Sequence, residues 1–387
     1  MKKLLILSFG MFAIGTGSFI MAGLLPEVAE SLNVNVGTAA GMIAAFAAAY
    51  ALMTPISATL LVNFSYKPIL IFGMAVLAVG HILSAASSDL ELIIAGRALA
   101  GFGCALYMPI AGAAATAIVA QEYWARSLSL ITAGLSASTA IGAPLGIALS
   151  TSFGDWRLGM WFVAILASLA AIGLVFLLDP ALKPATRKRP LDLLKPIKRL
   201  SILGVLGTTL FLMTGSYIVH SYASVLLEPA TAGNGQTLAL LMACWGVAAT
   251  IGTFSAGRLT DKWGGRTVIF VGLGLLGLDF LIWPLLSSSP VMAVVPIVVW
   301  GALAWGCLVP LQHQLVKTAP SSAPIVLGLN TSAIYLGVSF STFIGKHVYQ
   351  TLGTDSLNVV AAGFIVLAFG IYSFSHHISL NDKANIT

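Results

Sequence analysis

The chain has 387 residues, 58% of them apolar and only 8% charged, against about 25% charged in an ordinary soluble domain. With a mean hydropathy of +0.97, this balance excludes a soluble protein and a soluble protein with a single anchor. The net charge of +6 comes without basic and aromatic residues interleaved on a polar surface, which argues against nucleic-acid binding.

Apolar runs of roughly 20 residues recur from end to end, the length of a membrane-crossing helix; β-barrel strands would give short alternating segments. Twelve spans are predicted, at about 4–25, 37–61, 68–86, 91–118, 127–150, 158–178, 202–227, 237–259, 267–286, 291–315, 325–345 and 357–376. The start, MKKLLILSFGMFAIG, has the lysines and apolar run of a signal peptide. Because the run continues to Pro26 and further spans follow, it is read as an uncleaved first span.

Between spans 6 and 7 lies DPALKPATRKRPLDLLKPIKRL, with seven basic residues and four prolines. It cannot cross a bilayer. The expected organisation is a six-helix bundle over 1–178, a basic linker over 179–200, a second bundle over 201–378 and a tail over 379–387. Sixteen of the nineteen Lys and Arg residues fall on the side that carries both termini, so both termini are expected to be cytoplasmic. Arg157 and Lys346 fall on the other side, and Arg97 falls inside span 4. Lys346 and His347 read as interfacial anchors. Cys104, Cys244 and Cys307 lie in apolar runs without metal-ligand spacing, and no metal or cofactor is expected.

The halves echo one another. SATLLVNFSYKPILIFG follows span 2, and SAGRLTDKWGGRTVIFVG follows span 8. Parallel six-helix repeats place a substrate site at the midplane between them. The stretch GRLTDKWGGR at 257–266 resembles the cytoplasmic loop signature of the major facilitator superfamily. In that reading Gly257 and Gly264 permit close approach and a tight turn, while Asp261 caps the next helix or pairs with a base such as Arg266. The first-half copy has Asn63 at the acid position and lacks the glycines.

On span 5, Gly134 and then Gly142, Pro144 and Gly146 resemble the antiporter motif of the same superfamily, in the spelling found in arabinose-efflux-like permeases. Small residues there allow close packing, and the proline bends the helix. Span 1 carries GTGSF at 15–19 and GLLPE at 23–27, much like the opening helix of chloramphenicol exporters. Those carry a glutamate where Ser18 stands. Arg97 with Gly101 and Gly103 matches the helix 4 motif, whose arginine the resemblance ties to proton coupling.

An arginine within a span costs about 2.5–3.5 kcal/mol on insertion scales. Arg97 is therefore expected to face a polar interior and to bond carbonyls and hydroxyls of neighbouring helices. The candidates for proton coupling are Arg97, Asp279, His220 and His313. Of the thirteen acids only Asp279 lies deep in a span, though on a helix that the resemblance places at the periphery. His81 reads as structural. The expected cavity residues are Tyr50, Arg97, Tyr107, Tyr217, His220, Trp245, Trp305, Gln312, Asn330 and Tyr335. With no acid on a lining helix, neutral or weakly anionic solutes fit better than bulky cations.

These features together imply an all-α membrane protein of two pseudo-symmetric six-helix bundles, the major facilitator fold. It is expected to work as a monomer in a bacterial cytoplasmic membrane. The implied activity is export of small amphipathic organic molecules in exchange for protons; uniport or import is the alternative. An enzyme would need clustered acids, a metal constellation or an activated nucleophile, and none can be read from the spacing. A receptor would be expected to carry a sensory domain, and no such segment is read.

Overall fold

A computed structural model of the chain describes residues 1–61, 63–120, 123–180, 182–183, 199–319 and 322–384. Most of the basic linker, residues 184–198, and the last three residues of the tail lie outside the described residues. Among the described residues eleven helices are long and apolar enough to cross a membrane, and a twelfth span is a bent pair.

Span 1 is that pair. Lys2–Phe19 and Met21–Ser31 meet at 48°. The break falls at Ile20, and Pro26, with no N–H to give the Ala22 carbonyl, weakens the ladder just beyond it. Span 2 is Gly41–Leu60, preceded by a separate turn, Val36–Ala39, whose start Asn35 caps by accepting from the Thr38 N–H at 2.8 Å. Spans 3 and 4 are Tyr66–Ala86 and Leu90–Ile118.

Span 5 is not the plain bent helix expected of Pro144. It runs Trp124–Ala137, widens into a π turn over Ser138–Gly142, and continues as Ala143–Phe153. The Ala143 N–H bonds the Ser138 carbonyl, five residues back. Pro144, next in line, cannot donate at all. Span 6 is Arg157–Leu177.

Span 7, Leu200–Ser221, stops before its predicted end and hands over to two short turns, Ala223–Leu226 and Glu228–Thr231. Spans 8 to 11 are Gly235–Trp263, Gly265–Leu286, Pro290–Thr318 and Ala323–Leu352. Span 12, Asp355–Ala384, continues into the segment expected to be a tail. No proline or glycine stands after Gly370 to stop it.

The packing repeats. Span 4 packs on spans 2 and 3, and span 10 on spans 8 and 9. Span 6 packs on spans 1 and 3, span 12 on spans 7 and 9. Span 5 packs on span 1, span 11 on span 7. The halves join along two seams, span 2 with span 11 and span 5 with span 8, which are related by the same pseudo-symmetry. Outward faces are apolar, with Phe72, Ile165, Phe176, Val271, Leu285 and Val366 exposed. A belt of this kind suits lipid, not water.

At the side of the termini the loops are tied by basic residues at helix ends. Lys67 Nζ donates to the Val175 and Leu178 carbonyls, each at 2.7 Å, where cations complement the negative end of span 6. Arg199 Nη1 donates to the Thr318 carbonyl at 2.8 Å, tying the start of span 7 to the end of span 10.

Candidate functional site

Arg97 is 0% exposed. Instead of lining open space, it is enclosed in this conformation by spans 1 to 4. Its Nη2 donates to the Gly17 carbonyl of span 1 at 3.1 Å, and its Nη1 meets His81 Nε2 of span 3 at 3.1 Å. The guanidinium carbon lies 4.4 Å from the centre of the Phe46 ring of span 2, a cation–π distance. Nε has no partner. The absence of a side chain on Gly17 lets this assembly close: a Cβ there would lie 2.8 Å from His81 Nε2.

A second cluster sits where the halves meet. His220 of span 7 is ringed by Tyr217 at 5.0 Å, Trp245 of span 8 at 4.8 Å, and Trp300 of span 10 at 5.9 Å between centroids. Phe19, at the bend of span 1, crosses from the other half. It touches His220 at 5.8 Å, Trp245 at 5.7 Å and Trp305 at 5.9 Å, edge to face in each case. A narrow cavity is bounded by Phe19, His220, Met242 and Trp245 on one side and by Thr139, Ala143, Pro144 and Ile147 on the other. The indole N–H groups of Trp245 and Trp300 are buried without acceptors.

The other expected cavity residues scatter. Tyr50 of span 2 stacks on Tyr335 of span 11, centroids 3.9 Å apart, across the first seam, and its hydroxyl donates to Met108 Sδ at 2.6 Å. Tyr107 is buried and donates to the Leu7 carbonyl at 3.0 Å, which ties span 4 to span 1. Asn330 Oδ1 accepts from Thr209 at 2.8 Å, a link between spans 11 and 7, while its Nδ2 is unpartnered. Gln312 is half-buried on span 10 and His313 beside it is exposed. Asp279 is buried on span 9 with Oδ2 unpartnered, on a helix that packs chiefly on spans 10 and 12 and also on span 8.

The motif residues divide. Gly142 lies against Thr16 and Phe12 of span 1, and Gly146 against Ile20, so span 5 fits closely on the bend. Pro144 lines the narrow cavity. Gly257 has open space around it. Asp261 is exposed, does not cap span 9 and forms no ion pair among the described residues. Arg266 lies 5.5 Å from the Phe270 ring centre. Gly264 has φ +81° and ψ 143°, a region open essentially to glycine alone. Gly264→Ala should therefore cost about 1–3 kcal/mol, seen as a lowered thermal midpoint of the purified protein; an unchanged midpoint would contradict the strain.

His81, Phe46, Phe19 and Trp300 were not among the expected site residues. One signal for His81 was available. It precedes the 87–89 turn by about as many residues as Arg97 follows it, so a helical hairpin sets the two side by side.

The seams between halves, as far as the contacts run, lie at mid-height and on the side away from the termini. Gln350 Nε2 donates to Asn35 Oδ1 at 3.0 Å, a Cβ on Gly37 would lie 2.8 Å from Lys346 Cγ, and Gly235 abuts Thr151. Two six-span repeats joined in this way, with an aromatic cluster at the join, define a membrane transporter and not an enzyme. The chain belongs to the Major Facilitator Superfamily, whose family model matches residues 7–342. It is 27% identical to a chloramphenicol resistance protein of Streptomyces lividans, over 98% of this chain and 97% of that one. It is 26% identical to the inner membrane transport protein YdhP of Escherichia coli (strain K12), over 93% and 92%. The fold matches a solved bacterial homologue of the human lysosomal transporter Spinster, in an inward-facing and occupied conformation. That match has a TM-score of 0.79 at 15% identity, covering 98% and 97% of the chains.

Proposed function

We propose that the protein exports small, amphipathic, neutral or weakly anionic organic molecules across a bacterial cytoplasmic membrane in exchange for protons. It acts as a monomer, with both termini in the cytoplasm. The observation that carries this reading is the cluster of Phe19, Tyr217, His220, Trp245, Trp300 and Trp305 at the join of the halves. Rings supply a large apolar surface, and the buried indole N–H groups offer donors to a solute rich in acceptors. No carboxylate is among the residues in ring contact there, so a cation would find ring faces but no opposite charge.

The conformation fits the cytoplasm-facing state of such an exporter, because the contacts between halves close the opposite side. The names of the relatives support the substrate class and the inner-membrane location. A uniporter or importer is the second reading. It is favoured by Ser18, whose hydroxyl donates to the Ile14 carbonyl of its own helix at 2.8 Å and supplies no carboxylate for a proton.

Proteoliposomes should accumulate radiolabelled chloramphenicol, a neutral acceptor-rich aromatic, against its gradient when an outward-directed proton gradient (acid lumen) is imposed, because exchange moves solute and proton in opposite directions. Collapse of the gradient should stop accumulation. Equal rates with and without the gradient would favour the uniport reading.

A further inference from the structure

The antiport reading leaves the proton without a carrier: the acid of span 1 is replaced by Ser18, and Asp279 sits on span 9, away from Arg97. The ring of His81 answers this on geometry. Its Nδ1 lies 3.0 Å from the Leu77 carbonyl oxygen. A carbonyl can only accept, so Nδ1 carries a hydrogen. Its Nε2 lies 3.1 Å from Arg97 Nη1, and a guanidinium nitrogen can only donate. The lone pair of Nε2 is therefore occupied by Arg97, and the ring is held as the neutral tautomer.

We propose that His81 is the proton-binding group of this transporter and that Arg97 expels its proton. The proposal rests on the antiport reading above. In the present state Arg97 fills the site. A proton added to Nε2 would set one N–H against another and one positive charge beside a second, in a place shielded from water. Protonation and the Arg97 contact therefore exclude each other.

The contact cannot be relieved by sliding the hairpin. A Cβ on Gly80 would lie 2.6 Å from the Ala100 nitrogen, and one on Gly96 would lie 2.8 Å from the Gly80 carbonyl oxygen, so the backbones of spans 3 and 4 already touch on either side of the pair. What can move is the arginine side chain, together with spans 1 and 2, which hold its other contacts. Proton binding on His81 thus favours parting of those spans, and return of Arg97 drives the proton off Nε2 to water. No bond other than N–H forms or breaks.

The surroundings leave Arg97 as the charged partner. Span 1 presents the Gly17 backbone to the ring, and Val163 of span 6 lies beside Gly17. Span 4 contributes Arg97 and, near the guanidinium, Cys104; span 2 contributes Phe46. Among the described residues no carboxylate faces the ring. The pair lies in the third of the membrane away from the termini, the side from which protons would enter. The present state, closed on that side with Nε2 occupied by Arg97, is the one an exporter reaches after proton release.

A substrate-free test uses cysteines at Asn35 and Gln350, which meet across the seam in this state. Their capture by a short bismaleimide, normalised at each pH to that of a cysteine pair held within one half because the reacting thiolate is scarcer in acid, reports closure. In the otherwise native protein in nanodiscs, yield should fall roughly threefold or more between about pH 8 and about pH 5.5, the range in which histidine takes up a proton. With His81→Gln, which keeps an acceptor for Arg97 but cannot become a cation, yield should stay high and flat. A native response with an identical response in the variant would overturn the role of His81 and leave antiport standing. A flat profile in the native protein would count against both. Should the glutamine variant fail to fold, His81→Asn carries the same readout. Nitrogen-15 histidine spectra of the native protein near pH 7 test the geometry independently: a neutral ring with its hydrogen on Nδ1 is expected, and the absence of any such ring would overturn the proposal.

Discussion

Arg97→Ala is expected to abolish proton-driven transport while leaving the protein in the membrane. The side chain ties three helices to its own: it reaches the Gly17 carbonyl and His81 Nε2, and it covers the Phe46 ring. Truncation leaves a buried carbonyl and a buried imidazole nitrogen without a donor, each worth about 1–3 kcal/mol, but it also removes the cost of burying a charge. Folding should therefore survive better than function. Arg97→Lys keeps the charge but not the fork, and one ammonium cannot serve both acceptors and the ring face; it should recover little of the coupling. Accumulation assays in proteoliposomes, with membrane insertion checked by fluorescence size-exclusion, decide this. Native gradient-driven transport by the alanine variant would refute the assigned role.

Gly246→Val should trap the protein with the side away from the termini open. Gly246 of span 8 lies on the Thr139 carbonyl of span 5, with the Ala140 nitrogen 2.8 Å from where a Cβ would stand. That contact runs between the halves, so it exists only while this seam is closed. Overpacking costs about 1–3 kcal/mol, which moves a two-state balance by roughly 5- to 150-fold. Transport should fall by about tenfold or more, and the bismaleimide yield between cysteines at 35 and 350 should drop at every pH. Retention of full cross-linking would mean that the seam tolerates the side chain and does not gate.

The spans were legible because each needs a long apolar run with no internal competitor, and the loops because they hold the charges. The breaks inside spans were less so. Pro26 and Pro144 announce disturbance, but whether a helix answers with a bend, as at Ile20, or with a π turn, as at 138–142, depends on what packs against it. The start of span 12 was readable and its end was not, since nothing in SHHISLNDKA forbids a helix. At the site, Arg97 was conspicuous because a fixed charge in a span needs a reason. His81 was not, because a histidine in an apolar helix looks alike whether it is satisfied by its own backbone or by a neighbour. Here it is both. The aromatic cluster draws on spans 1, 7, 8 and 10, and no periodicity within one helix records such a meeting.

The π turn of span 5 also gives that helix one place where its length can change. A π turn takes up one extra residue while the helix on either side keeps the phase it would have without it. Removing one residue from 138–142 would therefore restore an ordinary helical ladder and leave Gly134 before it and Gly146 beyond it on their present faces. A deletion or insertion elsewhere in span 5 would instead turn everything beyond it by about 100°. Among relatives of this chain, changes in the residue count of span 5 should therefore gather at this turn.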